Sequence, residues 1–263
     1  MCQYLLKNHP DNNYQFLFAN TGKEKKETLD FVHNCDVEMG LNLSWIEYDP
    51  QDEYGKKNWF KLVDYETASR NGEPFAKFIK KERIPNSAYP NCSGRLKSLP
   101  MHNYIKYHLK WEDYYTCIGI RYDERKRVRN WVKANEKKYL YPLITDHRID
   151  EMFVRNYWAK QDYDLNLKDY QGNCDFCYKK SFRKLLTLAS EDPDGLDWWS
   201  EMEEKHGDGY TFFRDNISAN EIRELSKNKR FEKVKDLHQQ RNISNYLFDM
   251  DAEATCFCNL DEY

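Results

Sequence analysis

Short apolar segments alternate with turns and amphipathic stretches in the first part of the chain. Residues 14–19 form an apolar run that predicts a short buried strand, and residues 20–22 predict the turn after it. Residues 27–32 begin the next helix, and residues 43–48 alternate between apolar and polar side chains like a second strand. The order strand, turn, helix, strand predicts an α/β protein with a parallel, doubly wound sheet.

A second apolar run, at residues 115–120, predicts another buried parallel strand that ends at Arg121. Ligands of open α/β sheets bind beyond the carboxyl ends of the strands, so we expect the turns at Asn20 and Arg121 to face the ligand site. The later part of the chain is charged, aromatic and mostly helical in pattern. We therefore predict an α/β domain over residues 1–190 and a helical extension over residues 191–263 that closes on the cysteine site.

Composition narrows the class of protein. Hydrophobic residues make up 40% of the 263 residues, which is enough for a core. A formal charge of −3, with no basic helix, argues against nucleic acid as the main partner but leaves it open. No run approaches the roughly 20 apolar residues of a membrane span, and the start lacks the order of a signal peptide. We therefore predict a cytoplasmic protein whose eight cysteines are ligands, core residues or reactive thiols rather than disulfides.

The clearest chemical motif is the pair Cys174 and Cys177, which follows Gly172. A Cys-x-x-Cys turn brings two sulfurs within reach of one metal ion, and the glycine allows a tight backbone. We expect the adjacent Lys179 and Lys180 to lower the thiol pKa values and so favour metal-binding thiolates. The alternative is two unliganded thiols in a loop.

Two ligands do not complete a metal site. Cys92, in a turn-rich basic loop, is a candidate third ligand, and Cys256 or Cys258 is a candidate fourth. Four thiolates suit either zinc or a [4Fe–4S] cluster, and the spacing does not choose between them. Cys117 lies in the apolar run and is predicted to be a core residue.

Arg121 is the main candidate for binding a phosphate or sulfate group, because guanidinium pairs with such groups in a bidentate manner. Gly119 would allow close approach beside it. The alternative is a surface arginine paired with Asp123 or Glu124. The loop around Cys92 adds two further candidate anion ligands, Arg95 and Lys97.

Several of these segments resemble the phosphoadenosine phosphosulfate (PAPS) reductase-like proteins of the adenine nucleotide alpha-hydrolase superfamily, especially members found in phage genomes. The similar segments occur in the family's order over about residues 1–190. They are Phe18-Ala19-Asn20-Thr21-Gly22 with residues 27–32, the segment 92–100 with its Leu96-Lys97 and Pro100, Gly119-Ile120-Arg121-Tyr122-Asp123-Glu124, and residues 141–143, 164–165 and 172–180.

The resemblance implies a Rossmann-like (HUP-type) sheet that binds an adenine nucleotide, ATP or PAPS, and sulfur reduction or transfer with an electron or sulfur donor protein. It places Asn20, Thr21 and Gly22 on the nucleotide side of the site. Since several branches of the family carry an iron–sulfur cluster, it favours [4Fe–4S] over zinc. The implied ligands are Cys92, Cys174, Cys177 and Cys256.

Two family features have no counterpart here. These are the Ser-Gly-Gly-x-[Asp/Thr]-Ser turn that cradles phosphate after the first strand, and the reductases' C-terminal Glu-Cys-Gly segment. A second hypothesis is therefore a non-catalytic member that keeps the fold and the metal. A third is a zinc-containing nucleic-acid-binding protein. The uncapped apolar start also predicts that Met1 is an internal methionine, with the natural product beginning roughly 15–25 residues earlier.

Overall fold

A computed structural model describes residues 1–50, 59–128, 130–228 and 231–236. They form a mixed α/β protein, which confirms the α/β class. The α-helices are α1 (Cys2–Asn8), α2 (Lys26–Met39), α3 (Glu73–Lys81), α4 (Leu99–Asn103), α5 (Trp131–Glu136), α6 (Pro142–Thr145), α7 (Glu151–Trp158), α8 (Phe182–Glu191), α9 (Asp197–His206) and α10 (Ala219–Ser226). Gly94–Ser98 and Tyr104–Leu109 are π-helical, and Tyr122–Arg127, Asp194–Leu196 and Arg214–Asn216 are 3₁₀-helical. No helix in these ranges is both long and apolar enough to span a bilayer.

The main sheet contains β1 (Leu17–Asn20), β2 (Ser44–Tyr48) and β3 (Phe60–Val63), in that spatial order. β1 and β2 are parallel, which confirms the two strands predicted from the apolar pattern. β3 runs antiparallel to β2, so the expectation of an all-parallel sheet is wrong at this position. The central residues of β3, Lys61 and Leu62, are exposed, and such a strand carries no buried apolar run that would reveal it in the sequence.

Helix α2 makes the parallel crossover between β1 and β2. Leu29 of α2 is buried against Trp45 of β2 and against Ala68. The helix ends at Gly40, whose φ of +59° is the left-handed conformation that glycine adopts at helix ends. This β1–α2–β2 unit positions the turn that follows β1.

A second, smaller sheet pairs β4 (Thr116–Cys117) with β5 (Tyr139–Leu140) in parallel. The strand predicted over residues 115–120 is therefore too long. The Ile120 amide donates to the Ile118 carbonyl at 2.9 Å, and this tight turn around Gly119 ends the extended conformation. A separate small core lies beside this sheet, built from Ile120, Val128, Ala134, Tyr141 and Ile144.

The largest core is aromatic and joins β2 to the later helices. Trp199 of α9 contacts Phe212 and Phe75, with ring centroids 4.7 and 5.7 Å away respectively, both edge to face. Helices on both sides of residue 190 contribute to this core, since α8 supplies Leu185 and α9 supplies Trp199. The later helices thus pack directly on the elements that position the turn after β1.

Gly72, which precedes α3, offers a test of this packing. Its φ is +86°, and a Cβ there would lie 2.6 Å from the Trp198 indole. Gly209 has a φ of +85° with nothing within 4 Å of the same position. We expect Gly209→Ala to cost about 1–2 kcal/mol of unfolding free energy from the backbone alone. We expect Gly72→Ala to cost about 1–3 kcal/mol more, because the ring must shift. Urea unfolding measures both, and equal losses would show that Trp198 moves away without cost.

Candidate functional site

The turn after β1 is locked to the end of β2. The Asn20 side chain is fully buried, and its Nδ2 donates to Glu47 Oε1 at 2.7 Å and to the Ser69 carbonyl at 2.8 Å. Its Oδ1 accepts the Gly22 amide at 3.1 Å. Gly22 has a φ of +78°, and a Cβ there would lie 3.0 Å from the Gly72 backbone. Asn20 and Gly22 therefore shape the turn itself.

Glu24 closes the turn from the inside. Its Oε2 accepts the Thr21 amide at 2.8 Å and the Thr21 hydroxyl at 2.7 Å. Its Oε1 accepts no hydrogen bond of regular geometry but lies 3.1 Å from Lys97 Nζ. The Glu24 side chain is only 1% exposed, so this ammonium is the counter-charge of an enclosed carboxylate. The pair joins the turn to the π-helical segment Gly94–Ser98.

The amide groups of the turn are used internally. Thr21 donates to Glu24, Gly22 donates to Asn20, and the Lys23 amide donates to Thr21 Oγ1 at 3.3 Å. A phosphate-binding loop instead directs such groups at its ligand. The turn thus supplies shape to the site rather than a cradle of free amides.

The cysteine loop lies directly against this turn. The Lys25 amide donates to the Asn173 carbonyl at 2.7 Å, and the Asp175 amide donates to the Lys23 carbonyl at 3.0 Å. These bonds form an isolated antiparallel bridge at Cys174. Lys23 Nζ also lies 2.8 Å from Asp175 Oδ2, with both side chains largely buried.

Sequence reasoning missed this ion pair. Asp175 Oδ1 accepts a hydrogen bond from Trp199 Nε1 at 3.1 Å, and Lys23 Nζ lies 4.8 Å from the centre of a Trp198 ring. Asp175 belongs to the cysteine loop, and Lys23 directly follows the turn at residues 20–22. Their separation in the sequence hides the pairing, which only the fold reveals.

The Cys174 thiol lies among opposing charges. Burial is the largest influence and raises the pKa of Cys174 well above its ordinary value of 9.0, and the charges of Asp175 and Glu24 raise it further. The Lys180 ammonium lowers this pKa, whereas the nearby Cys92 raises it. The predicted lowering by neighbouring lysines is therefore wrong for Cys174, because burial outweighs the positive charge.

The remaining proposed metal ligands are placed as follows. Cys92 Sγ lies 3.7 Å from the Tyr178 hydroxyl, at the edge of the main core. Cys177 lies in the loop with Cys174, and its carbonyl accepts the Lys180 amide at 3.0 Å. Cys256 lies outside the described residues. Within the described ranges, no group of three or more Cys, His, Asp or Glu side chains is arranged to hold a metal ion.

Arg121 follows the smaller sheet in the chain and lies among carboxylates. Its Nη2 is 2.9 Å from Asp123 and 3.5 Å from Glu151, and its Nε is 3.8 Å from Glu124. This is the carboxylate pairing given above as the alternative to an anion site. Among the described contacts, Arg121 does not join the groups that converge at the turn after β1.

Two other predicted residues also have structural neighbours. Arg95 Nε lies 2.8 Å from Glu82 Oε1, so its charge is paired within the fold. Gly119 is exposed, and a Cβ there would lie 3.5 Å from Met1 Sδ.

A polar cleft of about 500 Å³ opens beyond the carboxyl end of β2. Glu47 lies on its lining, 3% exposed, and accepts the Ser69 amide at 2.6 Å and the Ser69 hydroxyl at 2.9 Å. Since Asn20 also donates to Glu47, the cleft and the turn share this carboxylate. The rest of the lining mixes cations and polar groups, among them Lys61, Arg70, Asn71 and Lys77, with two further carboxylates, Asp49 and Glu73.

Two relatives are similar to this chain. An uncharacterized protein of the nin region of Escherichia phage lambda is 31% identical over 193 residues, which cover 72% of this chain and 64% of the phage protein. An uncharacterized protein of Methanocaldococcus jannaschii is 28% identical over 117 residues, covering 44% of this chain and 22% of that protein. The matched part thus spans less than two thirds of either relative. No family model and no solved structure matches the chain.

The raised pKa of Cys174 predicts a pH-dependent stability. Above pH 9 the unfolded thiol releases a proton that the folded thiol retains, so rising pH favours unfolding. We expect the unfolding free energy of metal-free protein to fall by up to about 1.4 kcal/mol per pH unit from this group. Cys174→Ser should remove that component, as measured by urea unfolding between pH 8 and pH 10 or so. The same pH dependence in both proteins would contradict the assignment.

Proposed function

We propose that this protein is a PAPS reductase-like member of the adenine nucleotide alpha-hydrolase superfamily that performs adenine-nucleotide-dependent sulfur chemistry, either reduction or sulfur transfer. One observation carries the proposal. The turn after β1, the segment with Cys92 and Lys97, and the cysteine loop are far apart in sequence, yet they contact one another at the carboxyl end of β1. These are three of the segments on which the family resemblance rests.

The finer fold within this proposal is a Rossmann-like, doubly wound sheet. Its support is the parallel β1–α2–β2 crossover and the second parallel pair, β4 with β5. Parallel pairs of this kind require crossover connections, which are the building units of such sheets. The antiparallel β3 fits as an edge strand, which many doubly wound sheets carry.

The adenine nucleotide is proposed to bind in the cleft beyond β2. Its volume of about 500 Å³ falls in the usual range for small-molecule sites. Lys97 contacts Glu24 of the neighbouring turn, and its side chain is 37% exposed. It is the proposed contact for a phosphate or sulfate group. Arg121 is a second candidate, although an anion there would have to compete with Asp123 and Glu151.

The proposed metal ligands are Cys92, Cys174, Cys177 and either Cys256 or Cys258. Support comes from the chemistry of the donors: the negative charge of Cys92 raises the pKa of Cys174, and a bound cation would relieve that repulsion. The three described thiols are not themselves arranged to hold a metal ion. A [4Fe–4S] cluster would supply electron transfer, and zinc, the alternative, would supply structural cross-linking. The protein would position the metal through the cysteine loop, which the Lys23–Asp175 ion pair holds against the turn after β1.

A second candidate function is a non-catalytic family member that keeps the fold and the metal. The internally bonded amides of Thr21, Gly22 and Lys23 favour it, because they offer nothing to a phosphate group. Nucleotide binding separates the two candidates.

The metal proposal predicts about four irons and four sulfides per chain, with broad visible absorption, in protein purified without oxygen. Cys174→Ser should remove the colour, because it removes a ligand from the loop that the metal organises. Cys117→Ser, in strand β4, is the matched control and should keep the colour. A colourless protein with one zinc per chain would contradict the cluster and retain the thiolate site.

The nucleotide proposal predicts that ATP or PAPS binds and that Lys97→Ala weakens binding roughly ten- to a hundredfold, the loss of one charge-assisted contact. Isothermal titration calorimetry measures the affinity. Arg121→Ala should weaken binding more than Arg125→Ala, which removes an equal charge from an exposed residue of the 3₁₀ segment that Arg121 precedes. Equal small effects would show that Arg121 is a surface residue. If wild-type protein binds neither nucleotide, the non-catalytic hypothesis is the better one.

A further inference from the structure

The lobe formed by residues 115–149, here called the basic lobe, differs in charge from the rest of the chain. Its sequence contains nine Lys and Arg residues against four Asp and Glu residues, a net charge of +5. Since the whole chain carries −3, the remaining residues carry −8. The near-neutral total therefore conceals a local field that favours a negatively charged partner.

The basic lobe also exposes large apolar and aromatic side chains. Val132 is 69% exposed, Tyr115 is 63% exposed, and Trp131 and Leu140 are each 41% exposed. Trp131 and Val132 begin helix α5, and Tyr115 directly precedes β4. Tyr115 lies beside a positive charge, since Lys138 Nζ is 5.8 Å from the centre of its ring. In the main core, by contrast, the aromatic side chains face inward.

Some cations of the basic lobe are neutralised and others are not. Arg121 and Arg127 pair with carboxylates of the same segment. By contrast, Arg125, Lys126 and Arg148 are exposed and form no ion pair among the described contacts. The available charge thus lies on the 3₁₀ segment Tyr122–Arg127 and on the loop that precedes α7.

Two of these cations flank an aromatic ring. The guanidinium of Arg125 lies 4.7 Å from the centre of the Tyr122 ring, and that of Arg148 lies 5.5 Å from it. Arg148 has a φ of +49°, a conformation that ordinary side chains rarely adopt. Guanidinium planes and aromatic rings are the groups on which unpaired nucleic-acid bases stack.

We propose that the basic lobe binds single-stranded nucleic acid. The phosphate chain supplies the negative charge that Arg125, Lys126 and Arg148 attract. Unpaired bases supply flat faces for Trp131 and Tyr115. A duplex hides those faces inside its stack, and an acidic peptide or an anionic membrane offers charge without planar rings. The proposal is independent of the nucleotide cleft and of the cysteine loop.

The test is fluorescence anisotropy of full-length protein with labelled 20-nucleotide DNA and RNA strands of mixed sequence, across a range of salt concentrations. Trp131→Ala should weaken binding roughly tenfold, the effect of losing one stacking ring. Arg125→Gln with Lys126→Gln should lower the slope of log affinity against log salt by about 1.4, because each phosphate contact to a single strand contributes about 0.7. Val132→Glu, at an exposed position that folding does not require, should also weaken binding by charge repulsion.

The matched control is Lys205→Gln with Lys227→Gln, which removes the same charge from exposed sites on α9 and just beyond α10. It should leave the affinity and the salt slope nearly unchanged. The proposal is overturned if this control loses as much affinity as the double variant in the basic lobe. It is also overturned if heparin, a DNA duplex or phosphatidylserine vesicles bind wild-type protein as tightly as the single strand does, or if no strand binds.

Discussion

The contact between the turn after β1 and the cysteine loop holds the candidate site together. Its centre is the Lys23–Asp175 ion pair, at 2.8 Å and largely out of water. Burying two charges costs several kcal/mol each unless the pair is close and further bonded. Here the Trp199 indole donates to Asp175 and the Trp198 ring covers Lys23, so the environment compensates both charges. The surrounding segments must keep this geometry, because moving either residue would leave an unpaired buried charge.

A second charge pair extends this contact to the segment with Cys92. Glu24 lies one residue after Lys23. Lys23 pairs with Asp175, whereas the enclosed Glu24 carboxylate pairs with Lys97. The turn therefore presents two neighbouring side chains of opposite charge to two different parts of the chain. One partner brings the Cys174 loop and the other brings the Cys92 segment. Cys92 and Cys174 become neighbours as a result, which explains why the charge of Cys92 raises the pKa of Cys174.

The site and the basic lobe differ in how their charged side chains are paired. At the site, positive and negative groups alternate and each enclosed charge has a partner, an arrangement suited to holding a loop and a ligand in fixed positions. In the basic lobe, several cations and several aromatic rings face solvent. Such a surface attracts a polyanion over a distance that salt shortens, and it can bind different sequences. Arg121 of the basic lobe pairs with Glu151 of α7, and Arg155 of the same helix pairs with Asp169.

The apolar pattern by itself predicted β1, β2 and the start of α2, because each buries side chains at the spacing of its own backbone. It also pointed to the turn at Asn20, which lies at the site, and to Arg121, which pairs with carboxylates elsewhere. The apolar pattern did not predict the antiparallel β3. A strand whose central residues are exposed shows no buried apolar run, and it is held by its hydrogen bonds to β2. The strand at residues 115–120 was overestimated because a tight turn around Gly119 is a matter of backbone geometry.

Only the tertiary structure decided how the charged side chains pair and ionise. Adjacent lysines suggested an acidic thiol at Cys174, but burial beside Asp175 and Glu24 raises its pKa instead. Likewise, Arg121 reads as an anion ligand in the sequence and lies among three carboxylates in the fold. The cysteine ligand set remains a prediction, since Cys256 lies outside the described residues. Apolar periodicity is a local property that a sequence displays directly. The ionisation of a side chain depends on partners brought together from distant parts of the chain and on the water they exclude.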